Sequence, residues 1–335
     1  MVNQENTTRN LTKTALIVIA VMLFAASVGW LALGNVIRSP EIPIISNEPD
    51  PEEGFVPDLR SDAERKPLFF TFLIFGLTEG DNANTIMVAA YDGEARKGYV
   101  ISIPRDTQVD VQRSVRKINS AYAVGNLRGG GHEGGVRRMK YEVQTLIGFR
   151  PDFYISVDYE AFTHMVDAVG GVEIYVPFHM RYDDPFQDLH IDIPAGLQVL
   201  DGKNALHFAR YRTGNDRRMT ISDYQRIEHQ QQIIAAMSQE LMTPGTIFRI
   251  PEFISIFNTY VDSDLAYGEL LWFANQIRNI SGTDDLELYT LPTLGTSGLP
   301  HWYELPDKEG ILELVNRTVN PFIEDITEED IRIRR

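Results

Sequence analysis

The residues best placed to do chemistry in this sequence are arginines. "YVISIPRDTQVDV", residues 99–111, ends a mostly apolar run at Pro104 and sets Arg105 and Asp106 side by side at its exit. "ALHFARYRTG", residues 205–214, carries Arg210 and Arg212, which point to the same side in extended chain. "SDYQRIEHQQQ", residues 222–232, puts Arg226 in the first turns of a helix, with Gln230 four residues on and on the same face. Guanidinium forks match phosphate oxygens, each charge-assisted bond contributing roughly 1.5–3 kcal/mol. A helix N-terminus already favours an anion, so a cation there makes best sense with a phosphate between them. Plainer readings stand beside this one. Arg105 and Asp106 alone are a surface pair worth about 0–1 kcal/mol, and Arg210 and Arg212 alone are a solvated strand edge. Spacing does not decide whether the arginines converge. If they do so without an anion, each partly buried charge costs several kcal/mol.

The chain has 335 residues, 43% of them apolar, and a formal net charge of −16. That balance excludes general nucleic-acid binding, which relies on clustered cations, and adhesion to anionic lipid by surface charge alone. With no cysteine there is neither a disulfide framework nor thiolate chemistry. His164, His179, His190 and His207 share no ligand spacing, and no Ser-His-Asp order or Walker-type loop stands out. The loop "GGGHEGG", 129–135, is expected as a mobile rim rather than a metal site at His132 and Glu133. "YDDP", 182–185, reads as a turn.

Elements that must position the arginines follow from periodicity. Thr14 to Val36 carries no charge, and as a helix it would reach roughly 34 Å, enough to cross a hydrocarbon core of about 30 Å. "FAAS" and "LALG" are weak cleavage motifs, so the segment reads as an uncleaved anchor. Arg9 and Lys13 before it favour a short cytoplasmic N-terminus, 1–13, with the rest of the chain outside. The anchor is 14–36, and an acidic, Pro-rich linker, 37–66, follows. "LFFTFLIFG", "TIMVAAY" and "GYVISI" read as strands, the last two joined by a hairpin turn. Alternating helices and strands after them indicate an α/β protein with a central mixed β-sheet. Ser222 and Gln225 form a capping box for the helix that carries Arg226. The folded domain is taken as 67–322, followed by a charged tail, 323–335, expected to fray.

The stretches "FGLTEGDNANTIMVAAYD", "ISIPRDTQV", "KINSAYAVGN", "VDAVGGVEIYVP", "MRYDDPFQDLHIDIPAGLQVLDGKNALHFARYR" and "SDYQRIEHQQQ" together resemble the LytR–CpsA–Psr family of membrane-anchored phosphotransferases, over about residues 68–240. The resemblance implies a three-layer α/β/α sandwich whose pocket holds a polyprenyl pyrophosphate-linked glycan. It implies transfer of the glycan phosphate to a peptidoglycan hydroxyl, at the outer face of a bacterial membrane. The phosphate-binding positions it implies are Arg105, Lys117, Arg210, Arg212, Arg226 and Gln230, with Arg105, Asp106, Arg210 and Arg212 at the catalytic centre. Asp106 would orient Arg105 rather than act as a base, because neighbouring cations depress its pKa.

The sequence departs from the family where two aspartates are expected to serve Mg²⁺. Those positions are Thr78 and Asn84, neutral where Mg²⁺ prefers carboxylate and phosphate oxygens. Glu79 or Asp81 in the same loop would have to substitute, and Asp81 is the candidate metal ligand. This departure keeps a second function in view, a non-enzymatic module that holds polyprenyl phosphates without turnover. A membrane-tethered transcription regulator is disfavoured by the acidic charge and the short cytoplasmic stretch.

Overall fold

The computed structural model describes residues 38–42, 60, 62–78, 81–186, 189–215, 217, 219–243, 250–277, 285–298 and 301–333. The predicted anchor at 14–36, most of the linker and Glu79 lie outside the described residues. Among the described residues no helix is long and apolar enough to cross a membrane. The chain divides into two units, 1–41 with 266–275 and 42–265 with 276–335. In the first, the Arg38 amide donates to the Gly268 carbonyl at 3.3 Å, and Pro40 is buried.

In the second unit, the first apolar run forms β1 (Phe69–Leu77). The hairpin β2 (Ala83–Asp92) and β3 (Lys97–Ser102) follows, its turn closed by Asp92 Oδ1, which accepts from the Glu94 and Ala95 amides. A short helix α1 (Ala121–Gly125) and the long α2 (Gly131–Ile147) lead into β4 (Phe153–Val157). Helix α3 (Tyr159–Val169) begins at Asp158, whose carboxylate accepts from the Ala161 amide, and stops at Gly170, whose φ of 96° suits a residue without Cβ. Strands β5 (Val172–Val176), β6 (Met180–Asp184), β7 (Leu189–Ile193) and β8 (Gly196–Leu200) come next, then α4 (Gly202–Arg210), capped by Asp201. Helix α5 (Asp223–Met242) starts on the full capping box of Ser222 and Gln225. The remaining elements of this unit are α6 (Ile250–Tyr260), β9 (Asp262–Ser263), β10 (Leu286–Thr290), β11 (Thr293–Thr296), β12 (Glu304–Pro306) and α8 (Lys308–Thr318), while α7 (Tyr267–Ile277) belongs almost wholly to the first unit.

Six strands make the central mixed sheet, in the order β10-β3-β2-β1-β4-β9, with β1 parallel to β4 and antiparallel to β2. One sheet face, with Phe69, Leu73, Phe75, Val88 and Ile101, packs against Met139, Val143 and Leu146 of α2 and Ile311 and Val315 of α8. A second apolar cluster joins α3, α4 and α5 to the ribbons β5–β8 and β6–β7.

Several expectations change. Strand β5 is outside the central sheet, paired with β8 as a two-stranded ribbon. Tyr182 to Asp184 finish β6 rather than forming a turn, with Tyr182 facing Ile191. "GGGHEGG" is helical rather than a loop. Helix α2 begins at Gly131, and Gly125 lies so close to α2 that a Cβ there would sit 2.2 Å from the Gly134 carbonyl oxygen. His132 is held on both ring nitrogens, by Tyr122 Oη at 2.8 Å and by Asp262 at 2.7 Å. Packing also runs past 67–322 at both ends. Arg60 bonds Asp330 at 3.2 Å and Arg65 bonds the buried Asp152 at 2.8 Å. Ile326 and Ile331 enter the main core, so the end expected to fray is docked by its spaced isoleucines.

Candidate functional site: an arginine cluster at the exit of the central sheet

Strand β3 delivers the first arginine. After Ser102 the chain turns over Pro104 to Thr107, where the Thr107 amide donates to the Pro104 carbonyl at 2.9 Å. Arg105 and Asp106 occupy the middle of that turn. Their carbonyls are used by the Asn119 and Glu304 amides, at 3.1 and 3.0 Å, which fixes the backbone and leaves both side chains to project. They project to different partners. Asp106 accepts from Lys117 Nζ at 3.0 Å, while Arg105 donates from Nη1 to Asn84 Oδ1 at 3.0 Å and brings Nε within 3.6 Å of Asp223. The acid that gathers Arg105 is therefore Asp223, and Asp106 orients Lys117 instead.

Helix α5 supplies the centre. Asp223 stands in its first turn, where the dipole favours a carboxylate. It reaches Arg226 at 3.3 Å, one turn on, and Arg212 at 3.4 Å, in the segment between α4 and α5. Three guanidinium groups thus share one carboxylate. Gln231 fastens α5 over the end of β3, donating from Nε2 to Ser102 Oγ at 3.1 Å and to the Tyr289 carbonyl at 2.8 Å. Tyr224 makes a second fastening to Thr293 and Glu304.

The cluster has more donors than its acceptors satisfy. Arg226 is 7% exposed, and the Nε atoms of Arg105 and Arg226 are both buried without a hydrogen-bond partner. Burial, then the charge of Arg105, lowers the Arg226 pKa to about 10, with Asp223 opposing the drop. The charge of Asp106 also reaches Arg226, which sets the Lys117–Asp106 pair at the margin of the same site. The arrangement can accept a polyanion whose oxygens would meet the idle donors.

Of the positions expected from the sequence, Arg105, Arg212 and Arg226 come together, with Lys117 beside them. Arg210 does not join Asp223. It is the last residue of α4, not part of an extended run, and its guanidinium lies over the Tyr159 ring, 4.3 Å from the centroid. Gln230 lies half-buried one turn beyond Arg226 on α5. Two participants were missed from the sequence, Asp223 as the shared carboxylate and Asn84 as the acceptor for Arg105. The i,i+3 spacing of Asp223 and Arg226 was the available signal for the first.

Thr78 and Asn84 are committed elsewhere. Asn84 Nδ2 donates to Thr78 Oγ1 at 3.4 Å, and Thr78 Oγ1 donates to the Asn82 carbonyl at 3.2 Å. Asp81, held at φ 62°, accepts from Asn126 Nδ2 at 2.6 Å. Thr78 and Asn84, both neutral, are a poor match to Mg²⁺, and among the described residues no group of three or more Asp, Glu or His side chains could hold a metal ion.

Register identifies the surface next to this cluster. Leu288, Val100, Ala89, Phe72 and Phe153 pair in one row across the sheet, on the face opposite the main core. Phe72, Ile74, Ala89, Ile155 and Leu288 on that face are only half-buried, although apolar. A pocket of about 290 Å³ opens there, lined by Leu288, Ala235, Glu228, Gln231 and Gln232.

The fold is that of an α/β protein with a central mixed sheet, and the arginine cluster lies at the exit of that sheet beside a half-covered apolar face. The chain belongs to the LytR_cpsA_psr family, whose sequence pattern matches residues 59–318. LcpA, a cell wall biosynthesis protein of Corynebacterium glutamicum, is 28% identical over 265 residues, covering 72% of this chain and 49% of that protein. The polyisoprenyl-teichoic acid–peptidoglycan teichoic acid transferase TagV of Bacillus subtilis is 27% identical over 219 residues, covering 62% of this chain and 52% of that protein. The chain spans about half the length of these curated relatives. The crystal structure of B. subtilis TagV has the same fold, with a TM-score of 0.61 at 22% identity over 75% of this chain and 96% of that one.

Proposed function

We propose that this protein transfers a phosphate-linked glycopolymer from a polyprenyl pyrophosphate carrier to peptidoglycan, as an α/β/α sandwich anchored by 14–36 in a bacterial membrane and facing outward. The observation that carries the reading is the pair of buried Nε atoms on Arg105 and Arg226 that lack a hydrogen-bond partner inside a three-guanidinium cluster. Membership of the family and the teichoic acid transferase activity in the name of the relative TagV support it. Arg105, Arg212 and Arg226 bind the diphosphate, Lys117 is presented by Asp106, and Gln230 lies one turn beyond Arg226. The half-buried face around Phe72, Ile74 and Leu288 takes the start of the prenyl chain.

In the reaction the oxygen of an acceptor hydroxyl forms a bond to the glycan-side phosphorus. The bond from that phosphorus to the bridging oxygen breaks, and prenyl monophosphate departs with the electron pair. The hydroxyl proton passes to solvent. Guanidinium groups already in place stabilise charge on the transferred phosphoryl and on the leaving phosphate.

A second reading, binding without turnover, is favoured by the neutral Thr78 and Asn84. One experiment tests both. Purified protein is incubated with a prenyl pyrophosphate-linked glycan and a peptidoglycan acceptor, and products are identified by mass spectrometry. Release of prenyl monophosphate with a glycan–phosphate–peptidoglycan product is expected. Bound lipid that stays intact selects the binding module, and no bound lipid at all refutes both.

A further inference from the structure

We infer that the pyrophosphate site works without a divalent metal, and that Asn84 stands in for it by holding Arg105 on the phosphate. The inference rests on the proposed function and concerns how that site obtains its positive charge.

A guanidinium can only donate, so Asn84 must turn Oδ1 toward Arg105 Nη1, 3.0 Å away. Its Nδ2 then faces Thr78 Oγ1 at 3.4 Å, and the Thr78 hydroxyl hydrogen goes to the Asn82 carbonyl at 3.2 Å. The chain of bonds runs one way, from guanidinium to amide to hydroxyl to backbone carbonyl. A divalent ion at Asn84 Oδ1 would share that oxygen with a guanidinium of the same sign, and Thr78 and Asn84 are both neutral, so neither offsets the repulsion. Asp81 turns one oxygen to Asn126 Nδ2 at 2.6 Å, and among the described residues no group of three or more Asp, Glu or His side chains is placed to hold a metal ion.

Charge counting supports the replacement. Two aspartates and a dication sum to zero, and so do Thr78 and Asn84 with no metal. The local formal charge met by the diphosphate is unchanged. What differs is that Arg105, held by Asn84, then meets the diphosphate with no dication beside it. Removing both carboxylates also removes two anions that would repel phosphate if no metal were bound. Asn84 is a positioning residue here, acting through Arg105.

The test is calorimetric binding of a short-chain prenyl pyrophosphate to the full-length protein in detergent, in EDTA and then in excess MgCl₂. Wild-type affinity is expected to agree within about threefold between the two conditions. In the Thr78→Asp, Asn84→Asp double variant, affinity in EDTA should fall by about 100-fold and recover most of that loss in MgCl₂, because two new carboxylates repel phosphate until a metal bridges them. A purely structural role for Asn84 would not create metal dependence. Wild-type binding that requires Mg²⁺, or a double variant indifferent to Mg²⁺, overturns this inference alone. No wild-type binding in either condition overturns the proposed function together with it.

Discussion

Arg226→Met should make the protein more stable and nearly unable to bind a prenyl pyrophosphate. Arg226 is 7% exposed, its Nε lacks an acceptor, and its pKa falls to about 10. At 1.36 kcal/mol per pKa unit, keeping it charged in the folded chain costs roughly 3 kcal/mol. The contact with Asp223 at 3.3 Å is already part of that balance. Methionine fills similar volume without charge, so after imperfect packing the expected gain is about 1–2 kcal/mol. The loss on the binding side is larger. Two charge-assisted bonds at roughly 1.5–3 kcal/mol each imply at least a 100-fold weaker complex. Thermal unfolding by circular dichroism at pH 7 and titration calorimetry read the two effects. The folded-state pKa lies below the unfolded one, so the wild-type deficit is complete below about pH 10 and shrinks as pH rises through it. A variant that unfolds several degrees earlier and binds normally would refute the reasoning, since Arg226 would then be a structural residue.

Arg212→Ala should weaken prenyl pyrophosphate binding about tenfold while leaving the melting temperature within a degree or two, because the Arg212 side chain is 54% exposed; an unchanged affinity in calorimetry would remove it from the site. Gly125→Ala drives a Cβ to 2.2 Å from the Gly134 carbonyl oxygen and should cost about 2–4 kcal/mol in chemical denaturation, whereas Gly298→Ala, with open space around it, should be neutral. His229, stacked on Phe208 and 5% exposed, has its pKa pushed below 6.5 by burial. Its neutral form therefore stabilises the fold above that pH, and stability should fall as the solution is acidified below it, by roughly 1 kcal/mol per pKa unit of depression. His229→Gln should flatten that part of the stability–pH curve; an equally steep curve would place the acid sensitivity elsewhere.

Several local signals were read correctly from the residues. Apolar runs bounded by glycine and proline became β1, β2, β3 and β4, and Ser222 with Gln225 marked the start of α5 to the residue, because such signals act over one turn or one strand. The arginine types also suggested anion chemistry, the basis of the function proposed above, since few partners suit a guanidinium so well. Grouping was another matter. Arg210 and Arg212 are two apart, yet α4 ends between them and sends one to Tyr159 and the other to Asp223. Asp106 lies next to Arg105 in sequence but pairs with Lys117, because the Pro104 turn splays the two side chains. The isoleucines of the charged tail found the core only once α2 and α8 had built a surface for them. Residue type determined the chemistry available to this protein. Which arginines share a carboxylate, and which donors are left over for a ligand, depended on helix ends and turns brought together from more than a hundred residues apart. No local pattern records such contacts, because their energy exists only after the sheet and α5 have packed.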